Sequence, residues 1–150
     1  MEMIKLVHLS ASLEDYLEAI YLINQDKKVV RVKEVAEFLD VKTPSVVDAV
    51  SKLSEKELVV HEKYGYLTLS KKGSETAKKI YKKHEQIFKF LNEVLGMDTD
   101  TSQKDACALE HHISKLSMEK MIKLMKFLES RQEEYKKWIN DFNDFIETDR

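Results

Sequence analysis

A chain of 150 residues can bury one good core, or two small ones that share an interface, and nothing larger. Hydrophobic residues at 43%, charged residues at 35%, three Gly and one Pro exclude a disordered or collagen-like chain and point to a soluble, mainly helical one. The single cysteine, Cys107, excludes an internal disulfide framework and fits a reducing compartment. Glu2, Lys5 and His8 interrupt the stretch where a signal peptide would be continuously apolar, so the expectation is a cytoplasmic protein with no membrane span.

The net charge of −2 hides an asymmetry: residues 27–83 hold 14 Lys and Arg against 8 Asp and Glu, and the rest of the chain holds 11 against 19. Basic charge gathered in one half permits phosphate binding there, although Lys71, Lys72, Lys78, Lys79, Lys82 and Lys83 also read as the solvated face of a helix.

In chain order, Ser12 is placed as the N-cap of a first helix with the apolar stripe Leu13, Leu17, Ile20, Tyr21, ending near Asn24. Residues 27–31 form a polar connector, 33–39 a short helix burying Val35, Ala36 and Leu39, and 40–42 a turn. Thr43 as N-cap with Pro44 at the first helical position opens a third helix, its inner face Val46, Val47, Val50 and Leu53. The β-rich run 58–63, the Tyr64-Gly65 turn and the run 66–69 predict a hairpin. Helix, turn, helix and hairpin make a winged helix-turn-helix, in which the third helix enters the major groove and the hairpin reaches the backbone beside it.

Ser70 then caps a long helix with the inner face Ala77, Ile80, Tyr81, His84, Phe88, Leu91, stopped near Gly96. A loop over 98–102, a short helix over 104–114, a helix capped by Ser117 and carrying Met118, Met121, Met125 and Leu128, and a helical stretch with Tyr135, Trp138, Ile139, Phe142 and Ile146 complete the chain. The expected domains are residues 1–72 and 73–150.

Three polar clusters interrupt this pattern. Cys107, Glu110 and His111 stand at i, i+3 and i+4 and project from one helix face; thiolate, carboxylate and imidazole form a transition-metal ligand set, while a buried thiol beside a surface Glu and His reads the same residues without metal. His84 sits on an otherwise apolar stripe, where a satisfied core histidine is the plainer reading. Asp15 and Glu18 share a face near a helix start, a place that also favours acids through the helix dipole. Together the clusters offer six ligands from three helices.

The segments Glu14-Asp15-Tyr16-Leu17-Glu18-Ala19-Ile20-Tyr21, Lys83-His84-Glu85, and Ala106-Cys107 through Glu110-His111-His112 resemble the metal-dependent repressor family of the diphtheria toxin repressor and the manganese transport regulator, over nearly the whole chain. The resemblance implies a mainly α fold, an N-terminal winged helix-turn-helix followed by an all-helical metal-binding and dimerisation domain, of the short two-domain type. It implies Asp15, Glu18, His84, Cys107, Glu110 and His111 as metal ligands. Cys107 resembles the iron-type members and Asp15 the manganese-type, a hybrid site, while Gln103 and Phe88 stand where the iron type has ancillary ligands. The implied function is a repressor, not an enzyme, activated by Fe(II) or Mn(II), with one or two ions per subunit. The implied partners are a palindromic double-stranded DNA operator and a second copy in a homodimer, and the implied targets are metal-uptake genes. A different reading is a winged-helix regulator that senses a non-metal signal or redox state through Cys107.

With Val46, Val50 and Leu53 inward, Thr43, Pro44, Ser45, Asp48, Ser51 and Lys52 face outward and are the expected DNA contacts, joined by Lys42 and by Lys63 and Tyr64 of the wing. Asp48 reads equally as an acceptor for a cytosine amino group or as an intramolecular partner of Lys52.

Overall fold

The computed structural model describes residues 8–27 and 29–148. The chain divides into two compact units that meet between Tyr81 and Lys82.

The first unit starts with α1 (Ala11–Asp26). Its N-cap is Ser10, whose Oγ accepts from the Leu13 backbone N–H at 3.3 Å, so the helix begins two residues before the expected Ser12. Leu9 is already buried in the core, which commits the chain before Ser10. The connector expected over 27–31 contains a short strand, β1 (Val30–Arg31), with Val30 fully buried. Then come α2 (Val32–Leu39) and α3 (Thr43–Glu55), separated by Asp40 in the left-handed region at φ 51°, where its N–H still bonds back to Ala36 and Glu37 carbonyls. Lys42, not Thr43, is the N-cap of α3; Thr43 and Pro44 are inside its first turn.

The buried face of α3 is Val46, Ala49, Val50 and Leu53, while the expected Val47 is 45% exposed. Val47 follows Val46 by about 100° around the helix, off the face that Ala49, Val50 and Leu53 share with Val46. β2 (Val59–His61), a turn over Lys63–Gly65 and β3 (Tyr66–Leu69) build the wing. Its tip turns on consecutive left-handed residues, Tyr64 at φ 74° and Gly65 at φ 76°. β3 is central in a three-stranded antiparallel sheet, pairing Val30 with Leu67 on one side and His61 with Leu67 on the other. Leu17, Ile20, Val35, Val50, Leu53, Leu58 and Leu67 fill the core beneath.

α4 (Lys71–Lys89) starts in this unit. The Gly73 N–H donates to Ser70 Oγ at 2.9 Å, as the expected cap requires, and the Ser70 hydroxyl donates in turn to the Glu57 carbonyl at 2.7 Å.

In the second unit α4 passes into a π-helical turn (Phe90–Val94), which the sequence pattern did not suggest, before Gly96 at φ 67° reverses the chain. Ile87 and Leu91 of this segment pack with Ala106 and Met118. α5 (Thr99–Glu110) begins where a loop was expected: Asp98 caps it by accepting from the Thr101 N–H at 2.9 Å, and the polar run that follows is an exposed first turn. That N–H bond, and after it one from the Thr101 side chain, holds the Asp98 carboxyl below its ordinary range. α6 (Lys115–Glu129) is capped by Ser114, not Ser117; the Ser117 N–H donates to Ser114 Oγ at 3.1 Å. α7 (Gln132–Thr148) follows. Trp138, Phe145 and Ile146 on it remain exposed, so the stretch expected to pack leaves much of its apolar stripe open within the chain. No helix among the described residues is long and apolar enough to cross a membrane.

Candidate metal centre and DNA-reading face

Glu110 is the last residue of α5, and its side chain is fully buried. A carboxylate so placed is stable only with compensating charge or hydrogen bonds. Two elements supply them. From α4, His84 Nδ1 donates to Glu110 Oε2 at 2.7 Å. Just past the end of α5, His111 Nε2 lies 3.4 Å from Glu110 Oε1, beyond good hydrogen-bond geometry. Glu110 Oε1 is one of only two buried side-chain polar atoms without a hydrogen-bond partner among the described residues. The neighbouring Lys83 ammonium donates to the Glu110 backbone carbonyl at 2.9 Å, a cation at a helix C-terminus that fixes the end of α5.

Cys107 is exposed one turn before Glu110 on α5. Its Sγ, a Glu110 carboxylate oxygen and a His111 ring nitrogen lie within 4.8 Å of one another. The spacing i, i+3, i+4 therefore delivers the convergence it predicts. Glu110 stands between this group and His84, so one carboxylate faces two donor sets. Thiolate, carboxylate and two imidazoles around a buried oxygen with an unused lone pair fit a divalent transition ion.

A residue outside the expected set also touches this cluster. The Gln103 side-chain amide donates to His84 Nε2 at 2.9 Å. Gln103, Cys107 and Glu110 stand at i, i+4 and i+7 on α5, one face of the helix, and that spacing was the available signal.

In the first unit, Asp15 and Glu18 are one turn apart on α1. Glu18 is buried at 8% exposure among Leu17, Ala19 and Ile20, and Asp15 is half-buried. Both lie on the helix face the sequence gives them.

The expected DNA contacts are all exposed. Lys42, Thr43, Pro44, Ser45, Asp48, Ser51 and Lys52 line the outer side of α3, and Lys63 and Tyr64 form the wing tip, Tyr64 at 92% exposure. Lys52 Nζ is 2.6 Å from Asp48 Oδ2, and this hydrogen bond is the main cause that raises the Lys52 ammonium above its ordinary range. Pro44, Ser45, Asp48 and Lys52 share an open cleft of about 600 Å³ with Ser10 and Ser12 of the α1 start, two hydroxyls not anticipated as part of this face.

Comparison with known proteins agrees with both halves. The family model for the iron dependent repressor N-terminal DNA binding domain matches residues 8–67, and that for the iron dependent repressor metal binding and dimerisation domain matches residues 70–139. An uncharacterized HTH-type transcriptional regulator of Methanocaldococcus jannaschii is 41% identical over 114 residues, covering 75% of this chain and 91% of that protein. The HTH-type transcriptional regulator MntR of Bacillus subtilis is 36% identical over 118 residues, covering 79% and 82%. Among solved structures, the manganese regulator SloR superposes with a TM-score of 0.69 at 33% identity over 77% of this chain. The chain spans about half the length of that protein, 54%. These matches do not favour a regulator that senses a non-metal signal through Cys107. The two family models together cover most of the sequence, and the chain belongs to the iron-dependent repressor family, with a DNA-binding domain followed by a metal-binding and dimerisation domain.

Proposed function

We propose that the chain is a cytoplasmic transcriptional repressor, not an enzyme, that binds a palindromic operator as a homodimer when Fe(II) or Mn(II) is bound. The observation that carries the metal dependence is the buried Glu110 carboxylate, with Oε1 lacking a hydrogen bond and with His84, His111 and Cys107 around it. The manganese regulators among the similar solved structures support Mn(II), and the thiolate of Cys107 supports Fe(II).

The proposed ligands are Asp15, Glu18, His84, Cys107, Glu110 and His111, holding one or two ions per subunit. A bound ion supplies the positive charge that lets several carboxylates share one site. Asp15 and Glu18 belong to α1, which also packs against α3, so holding them restrains the helix that presents Thr43, Ser45, Asp48, Ser51 and Lys52. The proposed domains are 1–72 and 73–150. The proposed DNA contacts are Lys42, Thr43, Pro44, Ser45, Asp48, Ser51, Lys52, Lys63 and Tyr64, and the two recognition helices of a dimer must stand about 34 Å apart, or a multiple of it. Metal raises the population with that spacing, and by linkage DNA tightens metal binding equally. The controlled genes would be those of metal uptake.

Anaerobic fluorescence anisotropy with a palindromic operator tests this, comparing Fe(II), Mn(II), Zn(II) and chelator. Binding with Fe(II) or Mn(II) and its loss with chelator are expected. Equal affinity under all conditions would overturn the metal dependence and leave the winged helix untouched.

A further inference from the structure

Gln103, itself exposed, is the least expected residue to bond to the buried His84–Glu110 pair. Its amide donates to His84 Nε2 at 2.9 Å while His84 Nδ1 donates to Glu110 Oε2 at 2.7 Å. The two bonds are coupled through one ring. A neutral imidazole carries one proton, so a donor at Nε2 fixes that proton on Nδ1, where Glu110 accepts it.

We propose that Gln103 is a positioning residue that governs whether His84 Nδ1, the nitrogen facing Glu110, carries the ring proton or a lone pair, and so serves the metal-free and metal-bound forms in turn. The inference rests on the metal-centre reading above. If His84 and Glu110 hold a cation, the ring would need the Nδ1 lone pair for it, and the proton of the still neutral ring would then belong on Nε2. That proton needs an acceptor. Metal-ligating histidines generally donate their other N–H to a carbonyl or carboxylate, which fixes the ring and strengthens the ligand. The Gln103 side chain carries a donor and an acceptor on one terminal group, so half a rotation about its last torsion replaces the N–H facing Nε2 with Oε1. A leucine of similar size can do neither, and a carboxylate can only accept. Placement on the same α5 face as Cys107 and Glu110 ties this outer contact rigidly to two proposed ligands.

The test uses the full chain, 15N-labelled, stripped of metal, with the His84 ring signals assigned by their loss in His84→Asn. In the wild type the proton is expected on Nδ1, with Nε2 showing an unprotonated shift. Gln103→Glu should put a proton on Nε2 without metal present, and Gln103→Leu should leave the ring in mixed tautomers. Chelator competition with Mn(II) should show Gln103→Leu binding about tenfold to a hundredfold more weakly, with Gln103→Glu at least matching wild type. Wild-type ring shifts and wild-type Mn(II) affinity in Gln103→Leu would overturn the proposal. A wild-type chain that shows the expected tautomer and yet binds no Mn(II), Fe(II) or Zn(II) would instead remove the metal-centre reading, and the metal-bound half of the Gln103 role with it.

Discussion

His84 Nδ1 and Glu110 Oε2 are 2.7 Å apart and both side chains are buried, while the second Glu110 oxygen has no hydrogen bond. A buried pair that uses only half of a carboxylate is under-satisfied, and such a group in a native fold calls for an explanation. A metal position supplies one.

Replacing Glu110 by Gln separates packing from charge. The amide has the same shape and its oxygen can still accept from His84, so the fold should persist with a loss of about 1–2 kcal/mol. Mn(II) affinity should fall by about a hundredfold or more, because the proposed ligand between the two donor sets loses its negative charge. Chemical denaturation and chelator competition on one preparation measure the two effects. Retained affinity would place the metal elsewhere.

Gly73 marks a close approach in the first unit. A Cβ there would lie 1.9 Å from the Leu58 backbone oxygen, and backbone cannot swing aside as a side chain can. Gly73→Ala should therefore separate the start of α4 from the chain entering β2, at a cost of about 3 kcal/mol or more. A melting midpoint lower by roughly 10 °C is expected. An unchanged midpoint would show that α4 shifts without penalty.

What the sequence reveals of this fold depends on how local each signal is. The α3 start is legible because Pro44 fixes its own backbone angle, and the Cys107, Glu110, His111 convergence because one helix sets it. Strand β1 is only Val30 and Arg31, and two residues carry no alternation; pairing with Leu67 far along the chain makes it a strand. Ser12 and Ser117 look like caps as good as Ser10 and Ser114, and the choice falls to which start lets the following apolar residues reach the core. The bond from Gln103 to His84 crosses 19 positions: spacing on α5 puts Gln103 on the face of Cys107 and Glu110, but only packing between α4 and α5 brings that face to His84.

On the DNA side, Asp48 can be assigned by one substitution. Its carboxylate holds Lys52 at 2.6 Å and stands on the face expected to meet phosphates. Asp48→Ala removes a repulsive charge and releases the ammonium, so operator and random DNA should both bind more tightly, by about threefold to tenfold at low salt, with the gain screened as salt rises. A selective loss for the operator alone would instead show Asp48 accepting from a base. Anisotropy titrations on both duplexes at two salt concentrations distinguish the outcomes.

Cys107 decides how soft the proposed centre is. It is exposed on α5, so Cys107→Glu disturbs no core packing, and one turn of helix keeps the new carboxylate within reach of Glu110 and His111. A thiolate favours Fe(II), Co(II) and Zn(II), whereas a carboxylate suits Mn(II). The substitution should raise Mn(II) affinity relative to Zn(II) by about tenfold, with the absolute order of affinities still set by the divalent series. In the Co(II) form, the thiolate-to-metal charge-transfer absorption of the wild type should disappear in the variant, a signature that loss of stability alone cannot imitate. An unchanged metal ranking, with no such absorption in either protein, would mean that the Cys107 sulfur is not a ligand and that the centre is built from carboxylate and imidazole alone.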